Sequence, residues 1–151
     1  MNAERHGPSA PLLVRCADPA AEQHVTALLR DAGVDPGEAA DLLRQRCVVV
    51  LIDLTLPPSA PPFAAAAFRI DRKSRAAHLI AIGVPEPWRG RGLGRRLLTG
   101  TLTLLRAEGM DRVHACAHPG SPGSSLLVSA GFAADDYTAH AGGLSRLSLL
   151  L

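Results

Sequence analysis

The sequence predicts an α/β (α+β) fold, in which one domain has six to seven strands and about four flanking helices. Its 151 residues, 47% of them hydrophobic, are enough for one aliphatic core and too few for two. Apolar runs typical of strands alternate with amphipathic patterns that begin at Asp-Pro or glycine and stop at glycine. We expect residues 11–151 to form the domain and the polar residues 1–10 to form a disordered tail.

In the first half of the chain, the strand patterns alternate with two capped helices. An apolar run predicts a strand at residues 11–17, and Asp-Pro pairs then begin helices at residues 18–33 and 35–46. The β-branched run at residues 47–54 predicts a second strand. Residues 63–72 are rich in alanine, which favours a helix, but a proline-rich loop and a polar turn flank them, so we predict a hairpin strand.

In the second half, residues 77–84 are the partner strand of that hairpin and end at two prolines. Residues 93–107 predict a long amphipathic helix whose apolar stripe is formed by Leu93, Leu97, Thr101, Leu104 and Leu105. A strand at residues 112–118, a short helix at residues 121–131 and a closing hairpin complete the order.

The charge of the chain is mild overall and concentrated at one place. A formal net charge of +2 is too small for a protein that tracks a phosphate polymer, so we expect no nucleic-acid partner. Four arginines fall within eight residues, at Arg89, Arg91, Arg95 and Arg96. This local cluster predicts binding of one compact anion.

The cysteines and the apolar runs indicate in which cellular compartment we expect the protein. Cys16, Cys47 and Cys116 are odd in number and far apart, which predicts buried free thiols in a reducing cytosol. The first ten residues lack the apolar stretch of a signal peptide. The run at residues 48–54 is far shorter than the roughly 20 residues that span a bilayer. We therefore expect a cytoplasmic protein with no membrane partner.

The stretch WRGRGLGRRLL, residues 88–98, combines three glycines with four arginines directly before the long helix. A strand, a glycine turn and a helix in this order place main-chain N–H groups at the positive end of a helix dipole, where phosphate oxygens bind. The stretch lacks the Gly-Lys-Ser/Thr of a P-loop, and its glycines are spaced GxGxG and not GxGxxG. A different phosphate ligand is indicated; the alternative is a flexible loop with solvated arginines.

The pattern Arg89-x-x-Gly92-x-Gly94, after an apolar strand that ends in Val84, resembles the acyl-CoA signature of the GNAT superfamily of N-acetyltransferases. SLLVSAGF, near the C-terminus, resembles the penultimate helix of that family and its Gly-Phe exit. The order of elements is also similar from about residue 11 onward. The resemblance implies a mixed, mainly antiparallel sheet that is splayed between strands 4 and 5, with acetyl-CoA as the acyl donor.

For the donor, the resemblance implies that turn N–H groups cradle the pyrophosphate and that the arginines add charge. Main chain near the end of the fourth strand would hold the acyl carbonyl and the pantetheine arm. The implied donor-binding residues are Ile82, Gly83, Val84, Arg89, Gly90, Arg91, Gly92, Leu93, Gly94, Arg95 and Arg96.

For the chemistry, the resemblance implies a base on the fourth strand about eleven residues before Arg89, and that position holds His78. An imidazole titrates near neutral pH and suits a base; the alternative is a partly exposed strand histidine without a catalytic part. Leu127 occupies the place of the family's general-acid tyrosine, so Ser125 is the substitute candidate; the alternative is that Ser125 caps the helix or faces solvent. Gly120 stands near the family's asparagine.

His114, Cys116 and His118 alternate along one strand, but their spacing matches no structural zinc pattern, so we expect no metal. For the acceptor, the resemblance implies the loops at residues 34–37 and 139–143. The acidic residues near these loops would suit a cationic amine, or would simply be solvated; they are Asp35, Glu38, Asp135 and Asp136.

The function implied by these residues is acetyl transfer from acetyl-CoA to a small-molecule or peptide amine, by direct attack in a ternary complex. The alternative is a GNAT-fold protein that binds acyl-CoA as a regulator and has lost turnover, which the residues at Leu127 and Gly120 favour. The apolar strand at residues 147–151 would pair with a second subunit in a homodimer if it lay at a sheet edge.

Overall fold

The computed structural model describes residues 12–134 and 144–151. Seven strands form one sheet in the order β1-β2-β3-β4-β5-β7-β6. The strands are β1 (Leu12–Cys16), β2 (Val48–Asp53), β3 (Ala64–Asp71), β4 (Ala76–Gly83), β5 (Arg112–Ala117), β6 (Ala133–Ala134) and β7 (Ser145–Leu150). The helices are α1 (Glu22–Asp31), α2 (Pro36–Arg44), α3 (Leu93–Ala107) and α4 (Pro122–Ser129). The predicted fold class is confirmed, since the sheet is mixed and only β4 and β5 pair in parallel.

The two Asp-Pro pairs begin different structures. The carboxylate of Asp35 accepts hydrogen bonds from the N–H groups of Gly37 and Glu38 and caps α2, as predicted. The carboxylate of Asp18 caps only a single 3-10 turn, and α1 begins three residues after that turn starts. The predicted helix at residues 18–33 is therefore shorter, because its first turn is wound more tightly.

The ambiguous alanine-rich segment is the central strand β3, so the hairpin interpretation is confirmed. Its residues from Ala64 to Phe68 are all buried, which means that both faces of the strand are covered. Alanine suits this position because its small side chain lets a helix approach each face closely. Tertiary packing decides the conformation here against the helix propensity of the residues.

Two glycines show where the helices lie. A Cβ added at Gly100 of α3 would fall 2.5 Å from Cγ2 of Val14, and one added at Gly83 of β4 would fall 3.1 Å from the carbonyl oxygen of Leu28 in α1. The strand registers place Val14 and Gly83 on opposite faces of the sheet. Helices α1 and α3 therefore cover opposite faces, which we call the α1 face and the α3 face.

Strands β4 and β5 separate halfway along their length. Their parallel pairing joins Ala76–Leu79 to Arg112–Ala115 and stops there. At the same point the register between β3 and β4 shifts, because Phe68 faces Leu79 while Ala67 faces Ala81. Ile80 is thus the extra residue of a β-bulge, which bends β4 away from its neighbour. This separation is the splay that the resemblance implied.

The last strand, β7, lies between β5 and β6, not at a sheet edge. Strand β6 covers it only at the pairs that join Ala133 and Ala134 to Ser148 and Leu147. The edge-strand argument for a homodimer therefore does not hold, and the homodimer stays a prediction. The expected tail at residues 1–10 and the loop at residues 139–143 lie outside the described residues.

All three cysteines are free thiols, but they differ in exposure. Cys47 is buried, and burial raises the pKa of its thiol from the ordinary value. Cys16 is half-buried and Cys116 is exposed, so the expectation that all three are buried is wrong for Cys116. Within residues 12–134 and 144–151, every helix is too short or too polar to cross a bilayer.

Candidate functional site

A cleft of about 1070 Å³ opens where β4 and β5 separate. Its walls are the second half of β4, the end of β5, the glycine turn before α3, helix α4 and the end of α1. Nine of the eleven residues that the sequence assigned to the donor line this cleft: Ile82, Gly83, Val84, Arg89, Gly90, Gly92, Leu93, Gly94 and Arg95. Arg91 and Arg96 do not.

The cleft passes through the sheet from one face to the other. Burial alternates along β5, with Ala115 buried on one face and Cys116 exposed on the other, yet both line the cleft. Asp31 of α1 lies at the α1 side, while Gly94 of α3 lies at the α3 side next to Leu126 of α4. Two molecules can therefore enter from opposite faces and meet between the strands.

The glycine turn has the backbone geometry of an anion cradle. Gly90 and Gly92 have φ values of +78° and +76°, a left-handed conformation that costs other residues energy. Gly92 caps α3 without a side chain, and a Cβ at either glycine would meet no atom within 4 Å. The N-terminal N–H groups of the 15-residue helix α3 are therefore approachable from the cleft, at the positive end of its dipole.

Of the four arginines of the turn, Arg89 and Arg95 line the cleft, whereas Arg91 and Arg96 do not. The Nε of Arg89 donates a hydrogen bond of 2.9 Å to the carbonyl oxygen of Val84, and Arg89 and Arg95 line the cleft. The guanidinium of Arg91 instead lies 5.1 Å from the ring centroid of Trp88, in a cation–π contact. Trp88 packs edge-on against Phe63 at 4.9 Å, so Arg91 belongs to the packing of the turn.

Helix α4 forms the wall opposite β4. Ser121 caps it by accepting a hydrogen bond of 3.1 Å from the N–H of Ser124. Ser125, Leu127 and Ser129 all line the cleft, and Leu127 is buried while both serines are exposed. The hydroxyl of Ser129 donates to the carbonyl oxygen of Leu126 at 2.7 Å. Ser125 thus contributes a hydroxyl group to the lining of the cleft, two residues before Leu127.

His78, the predicted base, does not line the cleft. It precedes the bulge, at a point where β4 and β5 are still paired, and its register partner on β5 is His114. The centroids of the two rings are 5.1 Å apart, and both rings line a separate cavity of about 370 Å³. The eleven-residue step from Arg89 back to His78 crosses the bulge, so His78 lies in the paired part of the sheet and outside the lining of the cleft.

Two carboxylates that the sequence analysis did not single out line the cleft. Asp31 is the last residue of α1, and Glu86 lies in the 3-10 turn that precedes Arg89. Of the acids that were singled out, Asp35 caps α2 and Glu38 forms an ion pair of 2.5 Å with Arg69. One feature of the sequence could have indicated that Asp31 lies at the site. Asp31 follows the core residue Leu28 by one helical turn, at the end of the helix that approaches β4. Asp135 and Asp136 lie outside the described residues.

Gly120, which stands near the place of the family's asparagine, and the alternating residues of β5 are two separate features. Gly120 has a φ of +76° in the turn between β5 and α4. In the part of the chain that the structure describes, no group of three His, Cys, Asp or Glu side chains could hold a metal ion.

Solved structures with this architecture share little sequence with the chain. A GNAT-family acetyltransferase from Listeria monocytogenes 4b F2365 is 14% identical, with a TM-score of 0.74 over 95% of this chain and 97% of that one. An IAA acetyltransferase from Bacillus cereus ATCC 14579 is 18% identical, with a TM-score of 0.70 over 93% and 100%. The PaiA N-acetyltransferase from Thermoplasma acidophilum, solved in complex with coenzyme A, is 11% identical, with a TM-score of 0.68 over 93% and 99%. The sequence matches no curated protein.

The sequence model of the Acetyltransferase (GNAT) family matches residues 38–132, which is more than half of the chain. The match includes the glycine turn, α3, both splayed strands and α4. The protein therefore belongs to the GNAT family of acetyltransferases, as the resemblance implied.

Proposed function

We propose that this protein is an N-acetyltransferase that moves an acetyl group from acetyl-CoA to a primary amine in a ternary complex. The observation that carries the proposal is the cleft through the sheet, which has an anion cradle on one side and carboxylates on its rim. The complex of the PaiA enzyme with coenzyme A supports the identity of the donor. Family membership supports the reaction class.

The residues of the glycine turn fit the donor's phosphates. The left-handed glycines leave the N–H groups at the start of α3 approachable, and a side chain at Gly92 would fill the space that phosphate oxygens need. Arg89 and Arg95 add two positive charges on the cleft wall. When bound, acetyl-CoA supplies a thioester whose carbon–sulfur bond breaks as a carbon–nitrogen bond to the amine forms.

Strand β4 holds the acyl end in this proposal. Its main-chain groups from Ile80 to Gly83 face the space that β5 leaves when the ladder ends at Leu79. Main-chain N–H groups at such an edge can polarise a carbonyl oxygen as its negative charge increases. Ile82, Gly83 and the following Val84 are the residues that we assign to this contact, as the sequence analysis expected.

Proton transfer is assigned to the cleft walls and not to His78. An amine is protonated at neutral pH, and the exposed carboxylates of Asp31 and Glu86 attract it and accept its proton through water. The leaving thiolate takes a proton from water held by the hydroxyl of Ser125. Leu127 cannot perform this role, so acid catalysis contributes less here than in relatives that carry the tyrosine.

The acceptor enters from the α1 face. The donor's cradle occupies the α3 side, and Asp31 lies at the opposite opening, so an amine that passes Asp31 reaches the splay from the other side. Acceptor and donor then bind independently, which suits direct attack without an acyl-enzyme. Small-molecule and peptide amines both satisfy this arrangement.

A regulator that binds acyl-CoA without turnover is the second candidate function. It is favoured by Leu127, which puts a buried apolar side chain at the acid position of the cleft. The two candidates share the donor site and differ only in acetyl transfer.

The experiment that tests the proposal measures release of free CoA thiol from acetyl-CoA with a panel of amines. The panel contains polyamines, amino acids, amino sugars and peptides with free N-termini, and each product is identified by the mass of one added acetyl group. Thiol release that depends on one class of amine supports the transferase. Acetyl-CoA binding with no acetylated product from any class contradicts the transferase and leaves the regulator.

A further inference from the structure

The donor side of the cleft ends in apolar side chains at the point where β4 and β5 begin to separate. We call this part of the cleft the acyl floor and define it by Leu79 of β4, Ala115 and Ala117 of β5 and Leu127 of α4, all of which line the cleft. The proposed function assigns no contact with the donor to these four residues.

The strand registers place the acyl floor on the α3 face, which is the side of the donor. Gly83 lies on the α1 face, and the pleat of β3 then puts Phe68 on the α3 face. Leu79 is the register partner of Phe68, and Ala115 is the register partner of Leu79, so both share this face. Ala117 follows Ala115 by two residues of the same strand and shares it as well.

The acyl floor is apolar and water has little access to it. Ala115 and Leu127 are each only 5% exposed. In the described ranges, the charged residues that line the cleft are all exposed and lie on α1, the glycine turn or the start of α3: Asp31, Glu86, Arg89 and Arg95. An apolar chain that covers the floor therefore leaves water without displacing a charged group, and this burial is favourable.

Two alanines leave space at the closed end of the cleft. Strand β5 presents Ala115 and Ala117 to the donor side, where a larger side chain would fill the space in front of the strand. Val113, the preceding residue on the same face, is fully buried and does not line the cleft. The acyl floor therefore ends at Ala115.

The depth of the acyl floor sets the length of chain that it can hold. Ile82, where we place the acyl carbonyl, is two strand positions beyond Leu79 when the bulge residue is left out, and so lies level with Ala117. From there to Ala115 is about 7 Å, the rise of two strand residues. With C–C bonds of about 1.5 Å at angles of about 111°, an extended chain adds about 1.25 Å per carbon. The three carbons after a butyryl carbonyl span about 4 Å and fit, whereas the seven of octanoyl span about 9 Å and do not.

We propose that the acyl floor binds the acyl chain of the donor, so that propionyl-CoA and butyryl-CoA are donors as well as acetyl-CoA. This inference rests on the proposed function, because it keeps the phosphates in the glycine turn and the carbonyl group at β4. The reaction is of the same kind: the carbon–sulfur bond of the thioester breaks, and a carbon–nitrogen bond to the amine forms. The amine loses a proton to water, and the thiolate gains one to become free CoA. Ala115 determines the longest chain that is accepted.

The first test needs no amine and no turnover. The unchanged protein is titrated calorimetrically with acetyl-CoA, propionyl-CoA, butyryl-CoA and octanoyl-CoA. We expect the Kd to fall about fourfold with each CH₂ group from acetyl to butyryl, as burial of one CH₂ group predicts, and to rise again for octanoyl-CoA. A Kd that stays constant or rises from acetyl to butyryl overturns the proposal. Tighter binding of octanoyl-CoA than of butyryl-CoA overturns it as well, since the floor would then not end at Ala115.

The second test shortens the acyl floor. The expected ratio of the Kd for acetyl-CoA to that for butyryl-CoA is about sixteenfold in the unchanged protein. We expect Ala115→Val to reduce this ratio and Ala115→Leu to abolish it, with little change in the Kd for acetyl-CoA. If Ala115→Leu does not fold, the smaller substitution Ala115→Val tests the same ratio. An unchanged ratio in a folded Ala115 variant overturns the proposal.

The matched control for these variants is Ala134→Leu. Ala134 and Ala115 are both register partners of Leu147, but Ala134 is exposed and does not line the cleft. The control should keep the ratio of the unchanged protein. A fall in the ratio of the control as large as that in the Ala115 variants would overturn the assignment to the acyl floor.

Thiol release separates this inference from the proposed function. With an amine that accepts an acetyl group, we expect propionyl-CoA and butyryl-CoA to release thiol too, and the product mass to increase by a propionyl or a butyryl group. Transfer of acetyl groups alone overturns the wider donor range and leaves the transferase. Tighter binding of butyryl-CoA with no transfer from any donor contradicts the transferase and supports the acyl floor as a binding site.

Discussion

Nε of Arg89 donates a hydrogen bond of 2.9 Å to the carbonyl oxygen of Val84, and this contact closes the turn that joins β4 to α3. One arginine thus fixes the distance between the strand end, where we place the acyl group, and the glycine cradle, where we place the phosphates. Its guanidinium lies on the cleft wall as well, so the same side chain shapes the turn and adds positive charge to it.

Replacing this arginine tests both roles. We expect Arg89→Ala to raise the Kd for acetyl-CoA by about tenfold or more, since a charge-assisted contact and the shape of the turn are both lost. Arg106→Ala, at the opposite end of α3, is the control and should bind normally. Isothermal titration with acetyl-CoA measures both variants, and an unchanged Kd for Arg89→Ala would show that the turn does not need this side chain.

The cysteines report on occupancy of the cleft. N-ethylmaleimide should react fastest with exposed Cys116 and slowest with Cys47, which is buried and whose raised pKa leaves less thiolate at a given pH. Saturating acetyl-CoA should slow the labelling of Cys116, because Cys116 lines the cleft, and should leave Cys16 unaffected. Peptide mass spectrometry measures each rate. A Cys116 rate that does not respond to acetyl-CoA would show that the bound donor does not cover the part of the cleft that Cys116 lines.

The hydroxyl of Ser125 is assigned to protonation of the leaving thiolate. We expect Ser125→Ala to lower kcat by about tenfold or more, with KM for acetyl-CoA unchanged. A fall in kcat of this size is near or below the low end of the rate effects that general acids contribute. Ser129→Ala is the matched control, because the Ser129 hydroxyl is bonded to the carbonyl oxygen of Leu126 on the same helix. Steady-state thiol release separates the two, and equal kcat values would remove Ser125 from the mechanism.

The contact of α3 with β1 depends on Gly100. Gly100→Ala should lower the free energy of unfolding, since overpacking against Val14 costs about 1–3 kcal/mol and the gain in helix propensity is about 1 kcal/mol at most. Gly123→Ala in α4 has room for its Cβ, 3.9 Å from Oγ of Ser121, and should be neutral or stabilising. Urea denaturation checks both variants. A Gly100→Ala protein as stable as the unchanged chain would mean that α3 packs less closely than described.

The sequence predicted the features that short segments of the chain determine by themselves. The bounds of α3 agree with the structure from Leu93 to Ala107, and the cap at Asp35 and the order of elements also agree. These features depend on residues close together in the chain, such as a capping carboxylate, an apolar stripe or a glycine stop. The glycine turn was found for the same reason, since its N–H groups, glycines and helix are consecutive.

Features that depend on strand register were not predictable in the same way. The bulge at Ile80 changes which residues of β4 reach the splay, and nothing in the local run of apolar residues marks it. His78 lies before this bulge and outside the lining of the cleft, and its neighbour on β5, His114, lies 36 residues away in the chain. Asp31 reaches the cleft only because α1 packs closely on Gly83, a contact between distant segments.

The central claim is that the glycine turn binds the phosphates of acetyl-CoA, and calorimetric titration of Gly92→Glu tests it most directly. Gly109→Glu is the matched control, because both glycines have positive φ and space for a side chain, but Gly109 lies away from the cleft at the far end of α3. A side chain at either position therefore meets a similar left-handed backbone, with φ values of +76° and +87°. We predict that Gly92→Glu abolishes acetyl-CoA binding while Gly109→Glu binds like the unchanged protein. Retained affinity in Gly92→Glu, or equal loss in both variants, would contradict the assignment of the turn.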